Sequence, residues 1–379
     1  MALTKTNRVK WEVPTLLRAT FVFGLIYTFL VGVSSLESGI NVMGSDTQES
    51  LFSSVNNPIA GLFIGILGTV LVQSSSASTS VIVGLVGTGA LGVSDAVPMV
   101  MGANIGTTVT NTLVALAHMR QSDEFKRAFA AATVHDFFNL MAVCVLLPVE
   151  LSTRVLSTLA EKISGKLVGS AGSEWKSPIK KWVKEPVGWL KDFGDAIGTK
   201  GNVLGTFLVI VGLVIILLSL AYITKNMRQL VADRIEASLN KVLGTGAGLV
   251  AMILGLLITI SVQSSSITTS IMIPLAAAGV VTLRNIYPVT LGANVGTTIT
   301  ALLAALAASR PEALTVGIVH TLFNVGGIAL LYPLPGVRDI PVRAAENLAR
   351  IAVERRYIAI TYVVVAFIVI PLIGVAILR

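Results

Sequence analysis

The sequence predicts an all-α polytopic membrane protein with two inverted-topology repeats, midplane re-entrant hairpins and broken helices. Charged residues make up 13% of the 379 residues and hydrophobic residues 54%, whereas about a quarter of a soluble domain is charged. Stretches without Asp, Glu, Lys or Arg, such as 202–224 and 357–378, are long enough to cross a bilayer. A polar motif also occurs twice. This composition excludes soluble enzymes and disordered chains.

The basic residues predict contact with membrane lipid rather than with nucleic acid. The formal net charge is +8, but Lys and Arg lie between the apolar stretches, where they act as topology signals and contact lipid headgroups. No interleaved basic and aromatic surface accompanies them, so we expect no nucleic-acid partner. Cys144 is the only cysteine, which excludes an intramolecular disulfide and is typical of a small core residue.

The first apolar stretch, 19–36, predicts a retained transmembrane helix. Four basic residues precede it and no convincing small-residue cleavage site follows, so it does not read as a cleaved signal peptide. The basic residues place the N-terminus on the cytoplasmic side of the cell membrane, either a plasma membrane or an inner membrane. Residues 1–56 are therefore predicted to be an N-terminal cytoplasmic segment and the first transmembrane helix.

Three motifs occur twice along the chain. The copies are VQSSSASTS at 72–80 and VQSSSITTS at 262–270, MGANIGTTVT at 101–110 and LGANVGTTIT at 291–300, and VHDFFN at 134–139 and VHTLFN at 319–324. The first two pairs share a shift of 190 residues and the third has a shift of 185. Self-similarity of this length indicates two copies of one structural unit. We place repeat 1 at 57–149 and repeat 2 at 242–334.

Each QSSS motif lies near the middle of a charge-free run, at 51–94 and at 242–283. A single 44-residue helix would be about 66 Å long, more than twice the roughly 30 Å hydrocarbon core. The run must therefore turn back or break at membrane depth. Irregular backbone there is tolerated only where it is buried in protein or lines an aqueous cavity. The two hairpin tips are thus predicted to face each other around a site.

The basic residues of 225–241 and 335–356 predict that both segments are cytoplasmic. Repeat 1 then starts outside and repeat 2 inside, which is inverted topology. Residues 150–201 are predicted to be an external loop with an amphipathic helix bearing Trp175, Trp182 and Trp189. Residues 202–241 are predicted to be a connecting transmembrane helix and a cytoplasmic loop. Residues 335–379 are predicted to be a cytoplasmic loop and a C-terminal transmembrane helix that ends outside.

Glutamine and serine side chains in the QSSS motifs offer oxygen lone pairs and hydrogen-bond donors that carry no charge at physiological pH. Carbonyl and hydroxyl oxygens suit a hard cation such as Na⁺, while hydroxyls and helix N-termini suit a phosphate-like anion. The alternative is that these residues only let helices pack closely. Each GAN motif follows a proline, Pro98 or Pro288, which predicts another broken helix. The free amides or carbonyls of that break could complete the ion shell. The alternative is a kinked helix with a capping Asn.

Ionisable side chains in apolar segments are costly and therefore suspect, and His135, Asp136 and His320 are such residues. Asp136 could supply charge for one further cation, whereas Thr321 stands at its counterpart in repeat 2. A hydrogen-bonded core histidine is the alternative for each histidine. An enzyme with a QSSS serine as nucleophile and His135 or His320 as base is disfavoured, because nothing resembles a nucleophile elbow or a metal cluster. A passive small-anion channel stays open as the alternative function.

At these motifs the sequence resembles a bacterial member of the type II sodium/phosphate cotransporter family, over roughly residues 15–378. The resemblance implies an inverted-repeat fold whose QSSS regions form the phosphate and Na⁺ sites. It also implies electrogenic transport with an extra Na⁺, because charge-moving members have Asp after the VH pair. Animal relatives carry a cysteine-bridged external loop and a further C-terminal helix with a cytoplasmic tail; here 150–201 has no cysteine and one apolar run follows residue 356.

From the residue chemistry and the resemblance together, we predict two overlapping ligand sets. The phosphate set is Gln73, Ser74, Ser75, Ser76, Gln263, Ser264, Ser265, Ser266, Asn104 and Asn294. The Na⁺ set is Gln73, Ser75, Thr79, Thr107, Thr108, Asp136, Gln263, Ser265, Thr269, Thr297 and Thr298. The expected function is phosphate import driven by the Na⁺ gradient through alternating access, without cofactor or catalysis. The oligomeric state stays open, a homodimer included.

Overall fold

The chain is helical throughout the part described by the computed structural model, which covers residues 15–44, 57–168, 179–243 and 248–378. Six helices in these ranges are long and apolar enough to cross a membrane, which confirms the multi-pass prediction: Leu17–Met43, Ser122–Thr153, Asn202–Leu230, Leu283–Ala307, Pro311–Leu331 and Tyr357–Leu378. The first basic residues of the chain, residues 45–56, Trp175 and the glycines of 244–247 lie outside the described residues.

Within the described ranges up to residue 196, the chain forms eight helices. They are α1 (Thr15–Met43), α2 (Pro58–Val72), α3 (Ser75–Thr88), α4 (Val93–Gly106), α5 (Val109–Leu116), α6 (Ser122–Thr153), α7 (Val155–Val168) and α8 (Lys180–Ala196). Asn57 begins α2 by accepting hydrogen bonds from the backbone amides of Ile59 and Ala60, with Pro58 in the first turn where its missing amide costs nothing.

The second half repeats this order. It comprises α9 (Asn202–Leu243), α10 (Gly248–Val262), α11 (Ser265–Ala277), α12 (Leu283–Ala307), α13 (Pro311–Leu331), α14 (Pro335–Glu354), α15 (Tyr357–Val364), a π-helical turn (Val365–Val369) and α16 (Ile370–Leu378). The helices α10, α11, α12 and α13 are thus the counterparts of α2, α3, α4–α5 and α6. We call α2–α6 unit 1 and α10–α13 unit 2.

Several sequence predictions of local structure need correction. Residues 225–241 are not a loop, because α9 continues to Leu243; this segment has no Gly or Pro to end a helix. Residues 335–354 are likewise a helix, α14. The GAN helix of unit 1 is broken at Thr107–Thr108, but that of unit 2 runs unbroken through Pro288 as α12. Thr298 Oγ1 bonds Val295 O within its own turn at 2.7 Å, whereas Thr108 Oγ1 lies 3.5 Å from Ile105 O and contacts His135 instead.

Glycines let helices approach closely at matching places in the two units. The helices α2 and α4 pack where a Cβ on Gly65 would collide with Met99 O and one on Gly102 with Leu62 O. The same contact recurs between α10 and α12, where Gly255 meets Val289 O and Gly292 meets Met252 O. Each of these glycines lies 190 residues after its counterpart in unit 1. Small residues at such crossings allow backbones in membranes to pack at van der Waals distance.

Gly65→Ala or Gly102→Ala is expected to lower the thermal stability of the purified protein, since overpacking costs about 1–3 kcal/mol. Gly68→Ala, on the same helix as Gly65, is the matched control, because a Cβ there meets no atom within 4 Å and alanine favours a helix. Differential scanning fluorimetry measures the melting temperatures. Equal melting temperatures for Gly65→Ala and Gly68→Ala would contradict the close crossing.

Helices of each unit pack against helices of the other unit. The helix α3 of unit 1 packs on α12 and α13 of unit 2, and α11 of unit 2 packs on α5 and α6 of unit 1. Outside the units the exchange continues, since α7 packs on α13 and α14 packs on α6. The long helices α1 and α9 pair with each other and flank the units, contacting α3 and α10 respectively.

Specific side chains fix which helix ends meet. Arg127, near the start of α6, donates through Nε to the carbonyls of Ala276 and Ala277 at the end of α11, at 3.1 and 2.8 Å. At the start of α13, Arg310 lies against Gly89 at the end of α3, and Thr315 bonds Ser164 of α7 at 2.9 Å. The start of α6 thus lies beside the end of α11, and the start of α13 lies beside the end of α3.

Candidate functional site

Each QSSS motif breaks a helix in the same way. The glutamine ends the first helix in the left-handed region, with φ 56° at Gln73 and 57° at Gln263. Residues other than glycine seldom adopt this conformation, which costs roughly 1–2 kcal/mol. Each glutamine Nε2 offsets part of that cost by donating to the carbonyl three residues back, that of Val70 at 2.6 Å and that of Ile260 at 2.7 Å. The break therefore has a local cause in the sequence.

The next residue starts a new helix. Ser74 and Ser264 are extended, and their hydroxyls accept hydrogen bonds from the amides of Ala77 at 3.2 Å and Ile267 at 3.4 Å. This is standard N-capping by serine. Each motif therefore brings together the carbonyl end of one helix and the amide end of the next. A helix N-terminus attracts anions and a helix C-terminus attracts cations.

The glutamine oxygens join each break to the GAN helix of the same unit. Gln73 Oε1 accepts a hydrogen bond from Thr110 at 3.0 Å, and Gln263 Oε1 accepts one from Thr300 at 2.8 Å. We call these two hydrogen bonds the Gln–Thr clasps. Their partners are again 190 residues apart. The repeated GTTxT sequence contained Thr110 and Thr300, but sequence reasoning assigned them no role.

The serines that follow lie deeper than the glutamines. Ser75 is 5% exposed and Ser265 3%, whereas Gln73 is exposed and Gln263 partly exposed. One turn along, Thr79 and Thr269 donate to the carbonyls of Ser75 at 2.8 Å and Ser265 at 2.9 Å. The threonine protons are thus used within the helix, which leaves oxygen lone pairs as the free chemistry of these side chains.

The break of unit 2 contacts unit 1. Ser266 Oγ donates to Thr107 O at 3.4 Å, and Ser270 Oγ donates to Asn111 Oδ1 at 3.0 Å. The structure therefore brings the second QSSS motif to the broken GAN helix of unit 1, where Thr107 and Thr108 lie. No hydrogen bond joins the two QSSS breaks directly among the described residues.

Asparagines and a histidine form a buried network between the GAN and VHxxFN helices. Asn294 donates to Asn139 Oδ1 at 2.7 Å and contacts His135 Nε2 through its Oδ1, and Asn104 donates to Asn324 Oδ1 at 2.9 Å. All these side chains are 2% exposed or less. The network joins both units, so it fixes how α4, α6, α12 and α13 sit together. Asn104 and Asn294 are thus engaged with other amides, and their role as phosphate ligands stays a prediction.

The sequence analysis assigned no role to Asn139 and Asn324. Their repetition at the end of both copies of the VHxxFN motif was the available signal. Polar side chains contact both ring nitrogens of His135: Thr108 lies at Nδ1, and Asn294 and Asn139 lie at Nε2, which fits a core histidine. His320 is fully buried, and neither ring nitrogen has a hydrogen-bond partner among the described residues. Thr298, the unit 2 counterpart of Thr108, bonds Thr321 at 3.0 Å and not a histidine.

Asp136 adjoins this network. It is 3% exposed, and its Oδ2 accepts a hydrogen bond from Tyr362 of α15 at 3.0 Å. Among the described residues there is no cluster of three or more His, Cys, Asp or Glu side chains that could hold a metal ion. Neutral oxygens, helix ends and this single carboxyl group are the chemistry available, and they suit a hard monovalent cation and an oxyanion.

A family model described as Na⁺/Pi-cotransporter matches residues 28–160 and 215–332, which contain both QSSS breaks, both GAN helices and the VHxxFN network. The chain belongs to the Na⁺/Pi-cotransporter family. No solved structure matches it.

Mammalian members of the family are similar over most of the chain. The sodium-dependent phosphate transport protein 2A of Rattus norvegicus is 34% identical over 427 residues, covering 94% of this chain and 67% of the relative. The sodium-dependent phosphate transport protein 2B of Homo sapiens is 32% identical over 451 residues, covering 94% of this chain and 64% of the relative. The recognition made on the motifs is thereby confirmed at the level of the family.

Proposed function

We propose that the chain is a secondary active transporter that imports inorganic phosphate with the Na⁺ gradient, by alternating access. The observation that carries the proposal is the duplicated QSSS break, in which a helix C-terminus, a helix N-terminus and buried serines occur at one place in each unit. The names of the relatives specify sodium-dependent phosphate transport, and the site chemistry is of the kind that such cargo needs. No catalytic step is part of this proposal.

Phosphate is assigned to the amide ends of α3 and α11. The serines of the two motifs and the first amides of each helix supply donors without a fixed positive charge, so the anion can be released as well as bound. The phosphate ligands are Gln73, Ser74, Ser75, Ser76, Gln263, Ser264, Ser265 and Ser266, with Asn104 and Asn294 behind them. Na⁺ is assigned to carbonyl and hydroxyl oxygens on the same breaks, and to Thr79, Thr107, Thr108, Thr269, Thr297, Thr298 and Asp136.

Inverted topology is part of the proposal, and the pairing of helix ends supports it. If the GAN helix of each unit crosses the membrane, the end of α3 and the start of α6 lie on opposite sides, and so do the end of α11 and the start of α13. The start of α6 lies beside the end of α11 at Arg127, and the start of α13 beside the end of α3 at Arg310. The starts of α6 and α13 would then lie on opposite sides, which units of the same orientation could not achieve. Cysteines introduced at residues 120 and 309 of a Cys144→Ala protein are expected to react from opposite faces of sealed vesicles. Labelling of both from one face would contradict the inversion.

The experiment that tests transport is radiolabelled phosphate uptake into proteoliposomes under an inward Na⁺ gradient, compared with an equal K⁺ gradient. We expect accumulation above the external concentration with Na⁺ only, because a cotransporter can drive its cargo uphill. Equilibration with either cation would instead support the alternative, a passive small-anion channel. No uptake in either gradient, in vesicles that hold correctly folded protein, would contradict phosphate as the substrate.

A further inference from the structure

The helix α15 makes a polar contact with the site through Tyr362. Its other inward residues are apolar: Ala359, Val363 and, in the following π turn, Phe367 are all buried. The rest of the Tyr357–Leu378 segment is mostly exposed apolar surface, as expected of a helix that faces lipid. A tyrosine hydroxyl directed into the bundle from such a helix calls for a partner, and that partner is Asp136.

The ring of Tyr362 is held by three phenylalanines. Phe137 stacks on it with centroids 6.4 Å apart, Phe129 meets it edge-on at 6.5 Å, and Phe367 meets it edge-on at 5.8 Å. The π turn that contains Phe367 starts three residues after Tyr362, and such turns redirect side chains within a helix. Aromatic pairs at these distances are attractive, so the hydroxyl has a fixed position.

The hydrogen bond orients the carboxyl group of Asp136. Tyr362 donates to Oδ2 at 3.0 Å, while Oδ1 is buried and has no hydrogen-bond partner among the described residues. One oxygen is thus held by the hydroxyl, and the other is left to bind a cation. Unit 2 has no counterpart of this carboxyl group, because Thr321 replaces the aspartate and bonds Thr298 and Gly317 O.

We infer that Tyr362 is a positioning residue that holds the Asp136 carboxyl group for Na⁺ and so makes cation affinity depend on the seating of α15. This inference rests on the proposed function, in which Asp136 is a Na⁺ ligand. It identifies a residue outside both repeats as a determinant of Na⁺ affinity. Tyr362 itself does not bind the ion; it acts through Asp136.

Tyr362→Phe tests the inference, because it removes the hydroxyl and keeps the ring. The half-saturating Na⁺ concentration for phosphate uptake is expected to rise about tenfold, the effect of losing one hydrogen bond to a charged group, with the maximal rate largely retained. Tyr357→Phe is the matched control on the same helix, since Tyr357 is 61% exposed, and it should leave the Na⁺ dependence unchanged. In an Asp136→Gly background, Tyr362→Phe should have no further effect.

Two results would overturn the inference. One is an unchanged Na⁺ dependence in Tyr362→Phe, and the other is the same shift with and without Asp136, which would indicate a structural effect of the helix. The increase in melting temperature of purified protein on Na⁺ titration gives a second readout that needs no transport. If the wild type showed no Na⁺-driven uptake, the proposed function would fail, whereas equal Na⁺ midpoints of melting in wild type and Tyr362→Phe would refute the positioning role alone.

Discussion

Replacing Ser75 or Ser265 with alanine is expected to reduce Na⁺-driven phosphate uptake severely without loss of folded protein. Both serines lie in the first turn of a helix that begins at a QSSS break, and both are almost fully buried. Removing a hydroxyl that binds a charged ligand costs about 1.5–3 kcal/mol, and each 1.36 kcal/mol is a factor of ten. Uptake at low phosphate should therefore fall by about one to two orders of magnitude, as measured in proteoliposomes.

Matched controls are available for each of these serines. Ser78 lies on the same helix as Ser75, and its buried hydroxyl has no hydrogen-bond partner among the described residues. Ser261 lies just before the second break, and its hydroxyl bonds Leu257 O within its own helix at 2.8 Å. Ser78→Ala and Ser261→Ala should both transport normally. If Ser75→Ala and Ser265→Ala also did so, the serines would be packing residues and the QSSS breaks would not be the phosphate site.

Asp136→Gly is expected to abolish the current that accompanies phosphate uptake while phosphate is still accumulated. The resemblance to charge-moving family members implies one additional Na⁺, which we assign to Asp136; removing the carboxyl group leaves the cation sites made of neutral oxygens. Because that site lacks a counterpart in unit 2, where Thr321 stands, its loss should spare the paired sites. The measurement is charge moved per phosphate, obtained from solid-supported membrane currents and parallel isotope uptake.

Two further variants sharpen the interpretation of the current. Asp136→Thr installs the residue of unit 2 and should behave as Asp136→Gly. Asp123→Gly alters an exposed aspartate in the first turn of the same helix and should leave the charge per phosphate unchanged. A current per phosphate that is the same in the wild type and both Asp136 variants would show that Asp136 carries no coupling charge.

The sequence located the important breaks because their causes are local. A glutamine followed by a capping serine in a long charge-free run ends one helix and starts another, and both breaks occur where they were predicted. The break predicted from a proline before each GAN motif was wrong for unit 2, where α12 is continuous; Pro288 lies inside α12 just as Pro98 lies inside α4, so the proline does not mark the break in either unit. The two helices differ in the partner at this point, because Thr108 contacts the His135 ring whereas Thr298 bonds Thr321 and the carbonyl of Val295.

The sequence by itself determined the class of protein, the two repeats and the identity of the polar residues, because hydropathy, helix capping and self-similarity act within short stretches of chain. Only the tertiary structure decided which residues meet. The Gln–Thr clasps, the asparagine network of Asn104, Asn139, Asn294 and Asn324, and the bond from Tyr362 to Asp136 join residues 35 to 226 positions apart. Such distant pairs depend on how the helices pack, for which periodicity and motif spacing give no signal.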